Sequence, residues 1–283
     1  MEHTLCGGGL ALVTHNVGHL WQGQKRQENE RVSQVLLGAT VAVLELSEDN
    51  AWARVESDDT YRGWCERRWL APREVSAPTT VVTSPFADLL SAPDLLAPLR
   101  QRLSVLSRIS VVSSTGILSE VKLPGGEQGW RPSATLAPLP GLEAGELAFG
   151  AATHAGKFLG TPYLWGGSSA FGLDCSGLVQ LCYRLAGVVL RRDADIQRTD
   201  ERFVAVAQSE LEVGDLVFFG RPDRITHVGM HYFESTFIHS AGGAGVIITP
   251  WGDARYSPGF VDARRLDPLS ARNTVVRHED ERR

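Results

Sequence analysis

The sequence predicts an α+β protein in which small all-β units precede a mixed domain, and three observations support this fold class. A short pattern occurs twice in the first half of the chain, each time after runs that are typical of strands. The stretch APLPGLEAGE (137–146), with two prolines and two glycines, is typical of a linker. Beyond it, helix-like segments come first and strand-like runs follow, which is the order expected of an α+β domain.

The repeated pattern is Gly-Trp followed by Leu-Ala-Pro. It occurs as Gly63-Trp64 with 70–72, and again as Gly129-Trp130 with 136–138. Short apolar or alternating runs precede each copy: VLLGATVAVLEL (35–46) and AWARVE (51–56) before the first, RLSVLSRISVVSS (102–114) and ILSEVKL (117–123) before the second. Short strands broken by Gly, Asn and Pro predict two small antiparallel barrels.

The two copies resemble bacterial SH3 domains, which implies two SH3-like barrels. We predict the first barrel at residues 1–76 and the second at 77–140. Residues 1–30 exceed what such a barrel needs, so we expect them to form an N-terminal arm or insertion. Chance similarity between two unrelated β domains is the alternative.

Length and composition limit the functional classes. The chain has 283 residues, enough for two or three domains, and is 43% hydrophobic and 22% charged, which is ordinary for a globular protein. A net charge of −5, scattered along the chain, predicts no general affinity for nucleic acid. No apolar run reaches the roughly 18 residues of a membrane span. The end of the chain, 271–283, is expected to be a polar, disordered tail.

Cysteine usage points to a reducing compartment. The four cysteines, Cys6, Cys65, Cys175 and Cys182, are too few for a disulfide scaffold. The N-terminal residues also lack the basic start and long apolar core of a secretory signal. We therefore expect a reduced, cytoplasmic protein.

The last domain, predicted at 141–270, begins with two helical patterns. AATHAGKFLG (151–160) has apolar residues at helical spacing and is expected to end at Gly160. CSGLVQLCYRLAG (175–187) has a second apolar face, with Gly187 as a natural C-cap. Four strand-like runs follow, DLVFFG (215–220), HVGMHYF (227–233), STFIHSA (235–241) and GVIITP (245–250).

Cys175 opens the second of these helices, with Asp174 as its expected N-cap. The N-terminus of a helix presents unpaired N–H groups and the positive end of the macrodipole. Both favour an anion, so we expect the pKa of the Cys175 thiol to be lowered. Cys182 lies on the apolar face of the same helix and is interpreted as core packing.

A nucleophilic cysteine needs a base, which is usually a histidine. His227 and His239 are the candidates, because each lies on one of two successive strand-like runs. His231 shares the strand face of His227 and competes with it on spacing alone. For any one of them taken by itself, an ordinary core or surface histidine is the alternative.

Four segments, taken together, carry a specific resemblance. They are GTPYLWGGSSAFGLDCSGLVQ (160–180), LEVGDLVFF (211–219), ITHVGMHY (225–232) and FIHSAGGAGV (237–246). In this order they resemble the NlpC/P60 family of papain-like cysteine peptidases.

The resemblance implies a catalytic set of Cys175, His227 and His239, and it favours His227 over His231. Tyr163 would add its hydroxyl to an oxyanion site at the N–H of Cys175. Trp165, with the two glycines after it, would shape the groove. Packing of an aromatic turn is the alternative for Tyr163 and Trp165.

The SH3-like pair ahead of this domain narrows the resemblance to YkfC-like γ-D-glutamyl-L-diamino acid endopeptidases. These act on cell-wall peptides, L-Ala-γ-D-Glu-L-diamino acid, with a free N-terminal L-Ala. The resemblance implies Tyr61 of YRGW as a substrate contact, and Asp174 and Ser176 as ligands of the free amine. In RRDADIQ (191–197), Arg192 and Asp193 would line the site, with Ala194 where some relatives carry Ser and Asp195 as a replacement.

Simpler interpretations exist for each of these substrate contacts. Asp174 could serve only as an N-cap, and Tyr61 could pack on a barrel surface. Arg192 and Asp193 could form a surface ion pair.

The expected function is thus murein peptide recycling in the cytoplasm, with the wall peptide as the partner. One alternative is a wall-anchored peptidoglycan hydrolase or amidase, and another is a non-catalytic module that binds wall peptides. A zinc site made of Cys175, Cys182, His227 and His239 is disfavoured, because i, i+7 cysteines stand about 10 Å apart on a helix. We expect no metal and no cofactor.

Overall fold

The computed structural model describes residues 7–24, 29–73, 78–138, 147–267 and 269–270. Two compact units account for the chain. The first comprises Met1–Gly141 with Ser169–Phe171, and the second comprises Leu142–Ser168 with Gly172–Arg283. The predicted tail, Cys6 and most of the predicted linker lie outside the described residues.

The first unit begins with a seven-stranded antiparallel sheet in the order β3-β2-β6-β5-β4-β1-β7. Its strands are β1 (Leu10–Val13), β2 (Val17–Trp21), β3 (Arg31–Leu36), β4 (Thr40–Leu46), β5 (Trp52–Glu56), β6 (Arg62–Glu66) and β7 (Leu70–Pro72).

The described part of the expected N-terminal arm belongs to this sheet. β1 pairs with β4 and β7, and β2 pairs with β3 and β6. The alternation of β2 buries Gly18 and Leu20, and β1 buries Ala11 and Val13 in the same core. The expectation of an arm or insertion is therefore wrong for these residues, since short apolar strands gain more by pairing than by covering a finished barrel.

A second seven-stranded antiparallel sheet follows, in the order β10-β9-β13-β12-β11-β8-β14. Its strands are β8 (Thr80–Val82), β9 (Phe86–Leu90), β10 (Leu99–Ser104), β11 (Arg108–Thr115), β12 (Leu118–Lys122), β13 (Gln128–Pro132) and β14 (Leu136–Pro138). Adding seven to each strand number of the first sheet reproduces the order of the second. The repeated sequence pattern thus corresponds to a repeated topology.

The glycine of each Gly-Trp pair has a steric role. A Cβ on Gly63 would lie 2.8 Å from Cβ of Leu20, and one on Gly129 would lie 2.6 Å from Cγ of Leu89. Both glycines therefore allow the neighbouring strand of their barrel to approach closely. The Leu-Ala-Pro of each copy forms the last strand of its sheet.

The second unit is the α+β domain. Its six-stranded antiparallel sheet has the order β17-β22-β18-β19-β20-β21. The helices are α1 (Leu147–Gly156), α2 (Cys175–Leu185) and α3 (Ala194–Arg198). The strands are β15 (Ser168–Ser169), β16 (Gly172–Leu173), β17 (Phe203–Val206), β18 (Leu216–Arg221), β19 (Arg224–His231), β20 (Thr236–Ala241), β21 (Gly245–Pro250) and β22 (Phe260–Leu266).

The α+β fold class is confirmed, with two differences in detail. α1 ends at Gly156 rather than at Gly160, which lies in the following turn with φ +80°. The elements that were not predicted from the sequence are α3, β15, β16, β17 and β22. None of the helices within the described ranges has the length and apolarity that crossing a membrane requires.

Candidate active site

The nucleophile candidate stands at the first position of α2, which packs against β19. Asp174 caps this helix, and its Oδ1 accepts the N–H of Gly177 at 2.7 Å. Gly177 is needed here because a Cβ on it would lie 2.1 Å from the carbonyl oxygen of Gly167. The Asp-Cys-Ser-Gly segment therefore places the thiol at a capped helix N-terminus, as predicted.

Asp174 is also held by a buried ion pair. The guanidinium of Arg192 donates Nη1 to Oδ1 at 3.0 Å and Nη2 to Oδ2 at 2.6 Å. Nη1 also donates to Oγ of Ser176 at 2.7 Å, and Gly166 N–H donates to Oδ2 at 2.9 Å. The side chains of Arg192 and Asp174 are 1% and 10% exposed. The alternative that Arg192 and Asp193 form a surface ion pair is therefore wrong for Arg192, because this arginine is buried and binds the N-cap residue Asp174.

The expected fall in the thiol pKa is not observed. Burial is the largest influence and raises the pKa of Cys175 to about 11, and the charge of Asp174 adds to the rise. The backbone N–H groups of Val228 and Ser176 lower the pKa, as does Arg192, but burial outweighs them. At neutral pH the thiol is therefore protonated until a base removes its proton.

The backbone of β19 reaches this thiol beside His227 in the chain. The N–H of Val228, which acts on the sulfur, belongs to the peptide that joins His227 to Val228. Nε2 of His227 lies 2.7 Å from Nδ1 of His239, across β19 and β20. Gly229 permits this approach, because a Cβ there would lie 3.1 Å from Cβ of His239.

His239 is buried and His227 is half-buried, and both rings lie among aromatic side chains. The Tyr256 ring lies 4.6 Å from the ring of His239 and 5.6 Å from that of His227, and Phe237 lies 4.8 Å from His239. Burial lowers the pKa of His227 to about 4 and that of His239 to about 3. Both rings are neutral at pH 7, so His227 is able to accept a proton.

Comparisons with known proteins agree with this geometry. The NlpC/P60 family profile matches residues 160–265, and the bacterial SH3 domain profile matches residues 24–71. The γ-D-glutamyl-L-lysine dipeptidyl-peptidase of Bacillus cereus is 30% identical over 85% of this chain and 76% of its own length. Dipeptidyl-peptidase 6 of Lysinibacillus sphaericus is 31% identical over 76% of this chain and 81% of its own.

The chain belongs to the NlpC/P60 family.

A solved structure of an NlpC/P60 family protein from Bacillus cereus has the same fold. It superimposes with a TM-score of 0.80, covering 91% of this chain and 99% of that one, at 24% sequence identity. Membership of the NlpC/P60 family places the protein in the cysteine peptidase superfamily. The shared fold confirms a papain-like NlpC/P60 domain preceded by bacterial SH3-like barrels.

Tyr163 lies near the nucleophile, and Trp165 is exposed at the surface of the second unit. Tyr163 forms a parallel bridge with Leu173. Burial, followed by the charges of Cys175 and Asp174, raises the pKa of its hydroxyl to about 12, so Tyr163 is close enough to Cys175 to act on it. The side chain of Trp165 is 58% exposed, which fits a groove wall better than core packing.

Asp193, Tyr61 and His231 occupy other positions. Asp193 is half-buried at the start of α3, next to Arg192 in the chain. Tyr61 lies in the first unit, where its N–H donates to Oδ1 of Asp59 at 3.2 Å, so its contact with substrate stays a prediction. Nδ1 of His231 accepts a hydrogen bond from Nε1–H of Trp251 at 3.2 Å, which gives this histidine a partner other than Cys175.

Cys182 is fully buried, as predicted, and burial raises the pKa of its thiol. Across the ranges that the structure covers, no group of three or more His, Cys, Asp or Glu could hold a metal ion.

Sequence reasoning missed two contacts of this site. One is the bond between Arg192 and Asp174, which lie far apart in the chain. The other is Thr249, whose Oγ1 lies 2.9 Å from Nε2 of His239. Its position in the run GVIITP, with apolar neighbours, was the only available signal.

Proposed function

We propose that this protein is a cysteine endopeptidase that hydrolyses the γ-D-glutamyl-L-diamino acid bond of cell-wall peptides with a free N-terminal L-Ala. The main support is one arrangement: a thiol at a capped helix N-terminus meets the backbone N–H of Val228, and the preceding residue, His227, contacts His239, in a chain of the NlpC/P60 family. Its similarity to proteins named γ-D-glutamyl-L-lysine dipeptidyl-peptidase and dipeptidyl-peptidase 6 supports the choice of bond.

The first step is proton transfer from Cys175 to His227. Since Nε2 of His227 faces His239, its Nδ1 is the nitrogen left for the thiol. Both partners are neutral at pH 7, so the thiolate–imidazolium pair forms as substrate is attacked. Sγ then bonds to the γ-carbonyl carbon of D-Glu, and a tetrahedral oxyanion results.

The oxyanion is met by the N–H of Cys175 and the hydroxyl of Tyr163. The N–H at the first position of a helix has no partner within the helix, so it is available. The raised pKa keeps the Tyr163 hydroxyl protonated, and it can therefore donate a hydrogen bond at neutral pH. Donors fixed in this way typically contribute about 10²- to 10³-fold to the rate.

Breakdown of the two intermediates completes the reaction. The imidazolium of His227 gives its proton to the departing amine of the diamino acid, and the C–N bond breaks to leave a thioester. His227 then takes a proton from water, which attacks the thioester. The C–S bond breaks, Sγ takes the proton back from His227, and L-Ala-D-Glu leaves with a free γ-carboxyl group, which ionises in water.

Recognition of the free amine is divided among acidic and hydroxyl groups near the thiol. Oδ1 of Asp174 already accepts three hydrogen bonds, from Gly177, Arg192 and Ser176, and Oδ2 accepts two, from Gly166 and Arg192, so the capacity of Asp174 for a further donor is small. The positive charge of Arg192 also offsets the negative charge of Asp174. We therefore assign the attraction of the ammonium group mainly to Asp193, with Ser176 as the neighbouring hydroxyl.

The requirement for a free amine places the enzyme after an earlier reaction. In intact wall that amine is acylated, so an amidase-type reaction must release the peptide first. An acylated amine would leave the acceptors of the pocket unpaired, a mismatch that can reject a substrate by about 10⁴-fold. This supports a role in murein peptide recycling, in the cytoplasm.

The test is mass spectrometry of L-Ala-γ-D-Glu-L-Lys, and of its diaminopimelate analogue, incubated with the protein. An N-acetylated copy of each peptide and a Cys175→Ala variant are the controls. We expect L-Ala-D-Glu from the free-amine peptides alone, and none from the variant. Equal cleavage of the acetylated copy would refute the amine pocket, and cleavage of purified sacculi would favour a wall hydrolase instead.

A further inference from the structure

We propose that Thr249 is a positioning residue, whose hydroxyl oxygen sets the direction of the proton chain that ends at the catalytic base. The chain runs from His227 through His239 to Thr249, with heavy-atom distances of 2.7 Å and 2.9 Å. The inference rests on the proposed roles of Cys175 and His227 and adds a residue outside the catalytic set described above.

The sheet register explains why Thr249 reaches His239. β20 and β21 pair so that His239 is opposite Ile247 and Phe237 is opposite Thr249. His239 and Thr249 are therefore diagonal neighbours on one face of the sheet, within reach of polar side chains. Both are buried, with exposures of 0% and 1%, so a hydrogen bond between them is shielded from competing water.

The hydrogen bonds of this chain have two possible directions. In one, Nε2–H of His227 donates to His239, and Nε2–H of His239 donates to Thr249. In the other, Thr249 donates to His239, and Nδ1–H of His239 donates to His227. Only the first leaves Nδ1 of His227 free to accept the thiol proton.

The charged state of His227 removes this choice. An imidazolium donates hydrogen bonds from both nitrogens, so Nδ1 of His239 must accept the hydrogen bond from Nε2–H of His227. Neutral His239 then carries its own proton on Nε2, and the oxygen of Thr249 is the acceptor for it. Thr249 is thus required most when the thiolate–imidazolium pair exists. Its loss should therefore lower the reaction rate rather than weaken substrate binding.

The experiment compares Thr249→Val, which keeps the shape and loses the hydroxyl, with Thr249→Ser, which keeps the hydroxyl. Ile247→Val is the matched packing control, because Ile247 lies opposite His239 and makes no side-chain hydrogen bond. Two readouts are taken for each variant, the iodoacetamide alkylation rate of the Cys175 peptide at pH 7 and kcat and KM on the free-amine tripeptide.

We expect Thr249→Val to lower both the alkylation rate and kcat by about tenfold, the upper end of what one neutral hydrogen bond contributes, with KM nearly unchanged. Thr249→Ser and Ile247→Val should stay within about threefold of the original protein, which is below the loss of one such bond. Equal losses in Thr249→Ser and Thr249→Val would overturn the proposal, as would an unchanged alkylation rate in Thr249→Val.

Nitrogen NMR of histidine-labelled protein tests the same point without turnover. We expect His239 to carry its proton on Nε2 in the original protein, and on Nδ1 or on both in part after Thr249→Val. If this shift is found but no peptide is cleaved, the proposed substrate is wrong and the role of Thr249 stands. If peptide is cleaved but the tautomer is the same in both proteins, the role of Thr249 is refuted.

Discussion

The two sides of the candidate site are stabilised in different ways. On the helix side, the position of the thiol is fixed by a buried ion pair between Arg192 and Asp174 and by backbone donors to the same carboxylate. On the strand side, the base is fixed by a chain of uncharged hydrogen bonds from His227 to His239 and Thr249, covered by aromatic rings.

This difference follows from what each side has to do. The helix side only positions its backbone, so it tolerates charges that neutralise each other. The strand side must change its own charge during the reaction, and a permanent charge in contact with it would bias that change. The comparison predicts that substitutions on the helix side mainly lower the free energy of unfolding, whereas substitutions on the strand side mainly lower the reaction rate. Cys175 and His227, which carry the reacting atoms, are the exceptions.

The largest effect is expected at those reacting atoms, where the two sides should be equivalent. Cys175→Ala and His227→Ala should each lower kcat by about 10⁴-fold or more, and the double variant should be no worse than either, because the two residues act as a unit. Initial rates on the free-amine tripeptide check this. Cys182→Ala, on the apolar face of the same helix, is the control that should keep its rate. Additive losses in the double variant would contradict a shared step.

The next effect should separate the two sides. Asp174→Asn keeps an N-cap but leaves Arg192 charged and buried, which is expected to cost about 3–5 kcal/mol of the free energy of unfolding. Urea unfolding at pH 7 measures it, with Thr249→Val as the strand-side counterpart that should lose far less. Asp174→Asn combined with Arg192→Met should recover most of the loss. A loss below about 1 kcal/mol in the single variant would show that the pair is not buried in solution.

The smallest effect concerns pH and belongs to the strand side. Burial lowers the pKa of His227 from 6.5 to about 4, so below pH 6.5 the unfolded chain binds protons that the folded protein excludes. Its contribution to stability is complete above about pH 6.5 and is lost as the pH falls towards 4. Between pH 7 and pH 4 the original protein should lose roughly 3 kcal/mol more than His227→Gln. Unfolding midpoints at pH 7, 5.5 and 4 measure this, and parallel curves for the two proteins would contradict a buried, neutral His227.

Elements with local signals were predicted well. The strands β18 to β21 correspond to apolar runs bounded by Gly and Pro, and α2 begins and ends at residues that cap helices. β22 was missed because FVDARRL is rich in charge, and its charges are matched only in the folded sheet. Arg265, for example, binds Asp215 of the loop before β18 at 2.8 Å.

In the site, too, features that depend on sequence neighbours were predicted, and contacts between distant segments were not. Asp174 as N-cap depends on neighbours in the sequence, and so it was predictable. The partners Arg192 and Thr249 depend on how distant segments meet, through a loop after α2 in one case and through strand register in the other. The direction of the Cys175 pKa was wrong for a similar reason. A helix N-terminus can be recognised in a sequence, whereas the burial that outweighs it cannot.

The two SH3-like sheets have the same strand order but differ in their interiors. After Gly-Trp, the first copy carries Cys65 in its apolar core, and the second carries Arg131 at the same place. Arg131 is fully buried, and its Nη2 donates to Oγ1 of Thr135 at 2.5 Å. The same strand order therefore forms around an apolar thiol in one barrel and around a buried guanidinium in the other, so the architecture does not depend on an apolar side chain at this position.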